Sequence, residues 1–141
     1  MVNYKYFMFI LIFFAVSNAS AQIQDSNLLD QPKSGLAFDH MEYDFGIVKS
    51  DTIVTHVYTF KNVSLDTIRI NQVGTSWGCT GSLLSSEEIV PGNTGELKVS
   101  FRTRGRHGKQ NKRITVYTND MIHAVYRLYL KGEIKRENES E

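Results

Sequence analysis

This chain of 141 residues has one cysteine, two prolines and one tryptophan, and its charges almost cancel, with 16 Lys and Arg against 15 Asp and Glu. A lone thiol, Cys79, excludes an intramolecular disulfide, so stability has to come from a packed core. No apolar run reaches the roughly 20 residues a membrane-spanning helix needs. No window sustains the 3.6-residue period of an amphipathic helix. A near-neutral chain has no global field to steer it onto nucleic acid or an anionic bilayer. The four histidines, His40, His56, His107 and His123, form no HExxH and no close His/Cys pair with ligand spacing. Neither a metal nor a cofactor is therefore expected.

The first residues read as a processing signal. Lys5 supplies the positive start, Phe7 to Val16 is unbroken apolar sequence, and Ala19-Ser20-Ala21 offers small residues at a cleavage point. Cleavage after Ala21 is expected to remove residues 1–21 and deliver the chain to the periplasm or the exterior. The new terminus would be Gln22, which cannot take a lipid on cysteine. Losing Lys5 leaves 15 basic and 15 acidic side chains, a net charge of zero. Residues 22–35 read as a flexible polar leader, 36–134 as one domain with a real core, and 135–141 as a charged tail that frays from about Glu133.

What the chain has in quantity is alternation. Val54, His56, Tyr58 and Phe60 fall on one face of a strand, against Thr55, Val57, Thr59 and Lys61 on the other. Leu97, Val99 and Phe101 repeat the pattern, as do Ile114 and Val116, and then Leu128 and Leu130. These inward positions are the expected core anchors. Leu36 to Phe38 and Tyr43 to Gly46 look like a broken first strand, and Ile68 and Ile70 share a face. Gly74 to Glu88 breaks the regularity, while Pro91-Gly92-Asn93 marks a turn. About seven short strands in about 100 residues predict an all-β, immunoglobulin-like antiparallel sandwich, with a β-barrel as the alternative.

Several local features occur in an order that resembles one family. They are Tyr43-Asp44-Phe45-Gly46-Ile47-Val48, His56 to Asn62, Gly78-Cys79-Thr80, Pro91-Gly92, Phe101 to Arg106, and Tyr117-Thr118-Asn119. The chain from about Phe38 to Ile134 resembles the exported bacterial domain of unknown function 1573. Its members resemble immunoglobulin-like modules of the Hydin and major-sperm-protein type. Many members read Cys-Gly-Cys-Thr where this chain has Trp77-Gly78-Cys79-Thr80. Paired-thiol or metal chemistry suggested for that motif therefore does not carry over. The resemblance implies a fold and export, not an activity.

The candidate contacts are few. Cys79 reads as a small hydrophobe in a loop; its functional alternatives are a nucleophile, a metal ligand or the link in a disulfide dimer. No motif supplies the base and oxyanion hole that a nucleophile needs. His56 on an apolar face reads as a hydrogen-bonded core histidine. Arg102 to Arg113 gathers six basic side chains, including Arg104, Arg106 and Lys109, at an expected hairpin. They read either as one solvated face or as a contact for an acidic partner. No aromatics are interleaved for stacking on bases, and Gly105-x-x-Gly108-Lys109 lacks P-loop spacing. Trp77 is either an exposed anchor or a plug over one end of the sandwich. Thr52 and Thr67 lie in short O-glycan-like sequons, and Asn62-Val63-Ser64 and Asn138-Glu139-Ser140 match the N-glycosylation pattern.

These features predict a non-catalytic interaction or assembly module with a protein or surface-glycan partner, contacting it through Trp77, Cys79, Arg104, Arg106 and Lys109. A chaperone-like binder of a partner's edge strand is the second expectation. An enzyme using Cys79 and a nearby histidine is the third.

Overall fold

The computed structural model describes residues 34–76 and 79–136, all within one unit spanning Pro32–Glu141. The expected signal sequence, most of the leader, Trp77, Asn138 and the end of the tail lie outside the described residues. Among the described residues there are nine strands: β1 (Leu36–Phe38), β2 (Glu42–Lys49), β3 (Ile53–Asn62), β4 (Ile68–Thr75), β5 (Cys79–Leu84), β6 (Glu88–Ile89), β7 (Thr94–Arg102), β8 (Gly108–Thr118) and β9 (Val125–Lys135). One sheet runs β1-β3-β7-β5 and the other β2-β9-β8-β4-β6. Among the described residues, no helix is long and apolar enough to cross a membrane.

Alternation explains why the sheets stack. On β3, Val54, Tyr58 and Phe60 are buried, and β7 sets Leu97, Val99 and Phe101 beside them. The second sheet answers with Ile68, Ile70, Ile114, Val116, Leu128, Leu130 and Ile134. Truncating one of these large side chains to alanine costs about 2–5 kcal/mol. Space is tight enough that Gly95 tolerates no side chain: a Cβ there would lie 2.6 Å from the Phe60 ring.

Several expectations need correction. The broken first strand is two strands in opposite sheets, because the chain crosses over at Asp39 to Met41. Asp39 N–H still donates to Thr59 O in one sheet, while Met41 O accepts from Tyr129 N in the other. Having crossed, β2 lies parallel to β9, so one edge pair departs from the antiparallel pattern. The segment from Gly74 to Glu88 is mostly strand: β4 reaches Thr75, and β5 and β6 follow. Its glycine and serine residues suit an edge with one neighbour, which demands little β propensity. β7 and β8 form no hairpin, since they belong to different sheets. The C-terminal strand holds past Glu133, with Ile134 buried and Lys135 opposite Lys49. At the other end, Gly35 is buried and its carbonyl accepts from Val63 N, so the leader is ordered by residue 35.

Asn62 is also buried, not a glycan acceptor. Its Nδ2 donates to Asp66 O (2.8 Å) and Ile89 O (2.7 Å), and its Oδ1 accepts from the Ser64 N–H and hydroxyl. That amide fastens the β3–β4 turn to β6.

Candidate interaction surface

The basic stretch sits at one end of the sandwich, and a buried threonine fixes it there. Thr103 Oγ1 accepts from Thr52 N (2.7 Å) and lies 2.9 Å from Thr52 O and 3.2 Å from Lys49 O. Its own N–H donates to Thr52 O, so the β7–β8 connection is tied to the β2–β3 turn. Arg106 N–H then closes a turn onto Thr103 O, with Gly105 at φ 72° in the third position, where turns of this kind need positive φ. The chain crosses from one sheet to the other here, which the glycines at 105 and 108 permit.

The cations of this end are held in different ways. Arg104 reaches Asp51 at 3.7 Å, but both side chains are largely exposed, so the pair contributes little and leaves Arg104 available. Arg106 lays its guanidinium 5.7 Å from the Phe101 ring centroid, and its buried Nε has no protein partner. Lys112 Nζ approaches the same ring at 5.5 Å. Cation–π contacts of this kind give about 0.5–2 kcal/mol and hold a charge in place without neutralising it. Arg102 is exposed. Lys109 lies further along, opposite Glu133 in register, on the rim of a cleft of ≈ 450 Å³ that also involves Asp44, Ile47, Gln110 and Lys131.

Cys79 belongs to this end as well. It opens β5 with its backbone opposite Phe101, immediately before the basic connection. Ser76, at the close of β4, exchanges bonds with Arg113: its N–H donates to Arg113 O, and Arg113 N–H donates to its hydroxyl. The residues flanking Trp77 and Gly78 are thus fastened to both ends of the basic stretch, although Trp77 itself lies outside the described residues. The structure brings together Cys79's backbone, Arg104 and Arg106, and sets Lys109 to one side.

His56 is half-buried at the margin of the core, in a group that sequence spacing did not reveal. Its Nε2 lies 2.6 Å from His40 Nε2, and its ring stacks on Tyr43 at 3.7 Å and meets Tyr58 edge-on. Burial, and then repulsion from His40, hold its pKa below the ordinary 6.5. The strand crossover delivers His40, sixteen positions away, to β3; only knowledge of that crossover could have paired them. Among the described residues, no three His, Cys, Asp or Glu side chains converge as metal ligands. The opposite end carries Leu65, Met121 and Ile122 exposed beside Asp66 and Asp120, with no basic side chain among the residues lining its hollow.

The two stacked sheets, with the chain crossing from one to the other after β1, define an immunoglobulin-like sandwich. The chain belongs to the family described as "Protein of unknown function (DUF1573)", which matches residues 36–134. No curated protein matches it. Among solved structures it is similar to a protein of unknown function from Porphyromonas gingivalis W83, with a TM-score of 0.61 at 19% identity. That match covers 70% of this chain and 46% of the other, so the chain spans less than half of that protein. The secreted serine protease VesC of Vibrio cholerae gives 0.57 at 16% identity, covering 77% of this chain and 25% of VesC. An ASH/PapD-like domain of human CEP192 gives 0.54 at 11% identity, covering 86% of this chain and 96% of the domain. At these identities the likeness is one of fold.

Proposed function

We propose that the protein is an exported, non-catalytic binding module that docks an anionic protein segment or surface glycan onto the basic end of its sandwich. One observation carries this reading. Six basic side chains and no acidic one occupy residues 102–113, so after removal of residues 1–21 the remaining nine basic side chains face 15 acidic ones, a net of −6 elsewhere. Such separation orients encounter with an anionic partner even in a neutral molecule. The Thr103 anchor and the Phe101 platform support the same view, because they fix where Arg104 and Arg106 stand. Export rests on the apolar start and the Ala19-Ser20-Ala21 site, and the released chain would begin at Gln22.

A photo-crosslinker placed at Arg104 in the native envelope tests the docking. The adduct is expected to fade as salt rises. The double change Arg106→Glu and Lys109→Glu, in otherwise folded protein, should lower its yield roughly tenfold, as loss of two exposed ion pairs implies. An adduct indifferent to both salt and charge reversal would dispose of the proposal.

A further inference from the structure

Four strands stand at sheet edges, and three of them are guarded. β1 has three residues and β6 two, one of them Glu88, too short to template a neighbour. β2 is longer, but a register shift between Asp44 and Ile47 breaks its ladder, and Glu42, Asp44 and Lys49 place charge along it. β5 is less protected: its one register shift lies at its start, between Cys79 and Gly81, and leaves Gly81 to Leu84 in regular register. Its six residues, Cys-Thr-Gly-Ser-Leu-Leu, include no charge and no proline, and Leu83 is 68% exposed on its outer face.

The hydrogen-bond alternation of the ladder shows which groups are free. Ser85 N–H donates to Glu96 O, so every second residue of β5, including Leu83 opposite Lys98, turns its backbone toward β7. Ser82 and Leu84 lie between these and turn their N–H and C=O groups to the open side. An antiparallel partner that satisfies both residues reciprocally can be a second β5. The two-fold axis then falls at Leu83, with Ser82 of each copy bonded to Leu84 of the other. This makes Leu83 a pair without backbone bonds between its members, the kind whose side chains come closest, with Cα atoms about 4.5 Å apart. The exposed leucine thereby gains an apolar partner. The same symmetry aligns charge: β5 starts next to Arg102 and ends before Glu87 and Glu88, which share the single cation Arg69, so an antiparallel pair sets each copy's basic start toward the other's acidic finish.

We propose that β5 is a self-association edge, through which two copies join their β1-β3-β7-β5 sheets into one continuous eight-stranded sheet about a two-fold at Leu83. The occupant is a second copy because uncharged edge, exposed leucine and reversed end charges are all self-complementary. Cys79 plays no part, since its backbone lies four positions from the axis and the two copies' Cα atoms at that position fall roughly 25 Å apart at strand spacing.

Sedimentation velocity of the purified protein across a concentration series tests this. The expected result is a reversible shift from monomer to doubled mass, unaffected by reductant, that Leu83→Lys abolishes while leaving the circular dichroism and melting temperature in place. In a Cys79→Ser background, Leu83→Cys should oxidise to a disulfide dimer, because that pairing places the two Cα atoms within disulfide range. A monomer at every concentration, a dimer that survives Leu83→Lys, or a dimer that needs Cys79 would each overturn the proposal. So would an edge whose amides gain exchange protection only on addition of a different protein, which would assign β5 to a foreign strand.

Discussion

Replacing Asn62 with alanine removes four hydrogen bonds from one buried point. The Ile89 carbonyl is left in a dry setting with no donor, and an unpaired group of that kind costs about 1–3 kcal/mol. The Asp66 carbonyl and the Ser64 N–H and hydroxyl lie nearer the surface, where water replaces the amide at a smaller loss. Together these give about 2–4 kcal/mol of destabilisation. For a domain of this size the melting temperature should fall by about 10–20 °C. Ser64→Ala removes only the hydroxyl's share and should cost below about 1 kcal/mol. Asn62→Asp keeps the acceptor for Ser64 but turns a carboxylate toward two carbonyl oxygens. It should therefore be worse than alanine at neutral pH and recover as acid protonates it, since surrounding carbonyls raise its folded pKa. Urea unfolding of the three variants, followed by tryptophan fluorescence and circular dichroism, measures all of this. An Asn62→Ala protein as stable as its parent would refute the claim that this amide fastens the β3–β4 turn to β6.

Two further outcomes follow from packing and from the histidine pair. Gly95→Ala forces a methyl against the Phe60 ring and Ile89 Cδ1, and should destabilise by about 1–3 kcal/mol in the same unfolding assay. Above pH 6.5, His56 is neutral in both folded and unfolded chains; below it, the unfolded chain accepts a proton that the folded one resists. Stability should therefore decline as pH falls from 6.5 until the depressed folded pKa is passed. His40→Gln, which removes the repelling partner, should make that decline shallower when the urea midpoint is followed against pH.

Much of the sandwich was legible because burial on one face imposes a period of two. Tyr58, Phe60, Phe101 and Leu128 could be placed inward by counting alone. What escaped were features set by pairing partners. β5 carries no periodic signal, since an edge strand with one neighbour need not be rich in branched residues. The crossover at Asp39 to Met41 left no mark beyond an irregular run, yet it creates the parallel β2–β9 pair and the meeting of His40 with His56. The basic stretch was visible by composition, but Arg106 resting on Phe101 depends on which sheet each strand joins. Asn62 illustrates the converse, because a short pattern suggested an accessible acceptor where the fold uses the amide as an internal fastener.

The parallel neighbours β2 and β9 also bear on how the domain responds to force. Tension applied between the start of β2 and the end of β9 loads the rungs joining them lengthwise, all together. β1, by contrast, is joined to β3 by only three residue pairs, so tension applied ahead of it meets a weaker attachment first. A molecule anchored in this way would yield early at its short first strand and then resist, keeping its core closed while tethered at both ends.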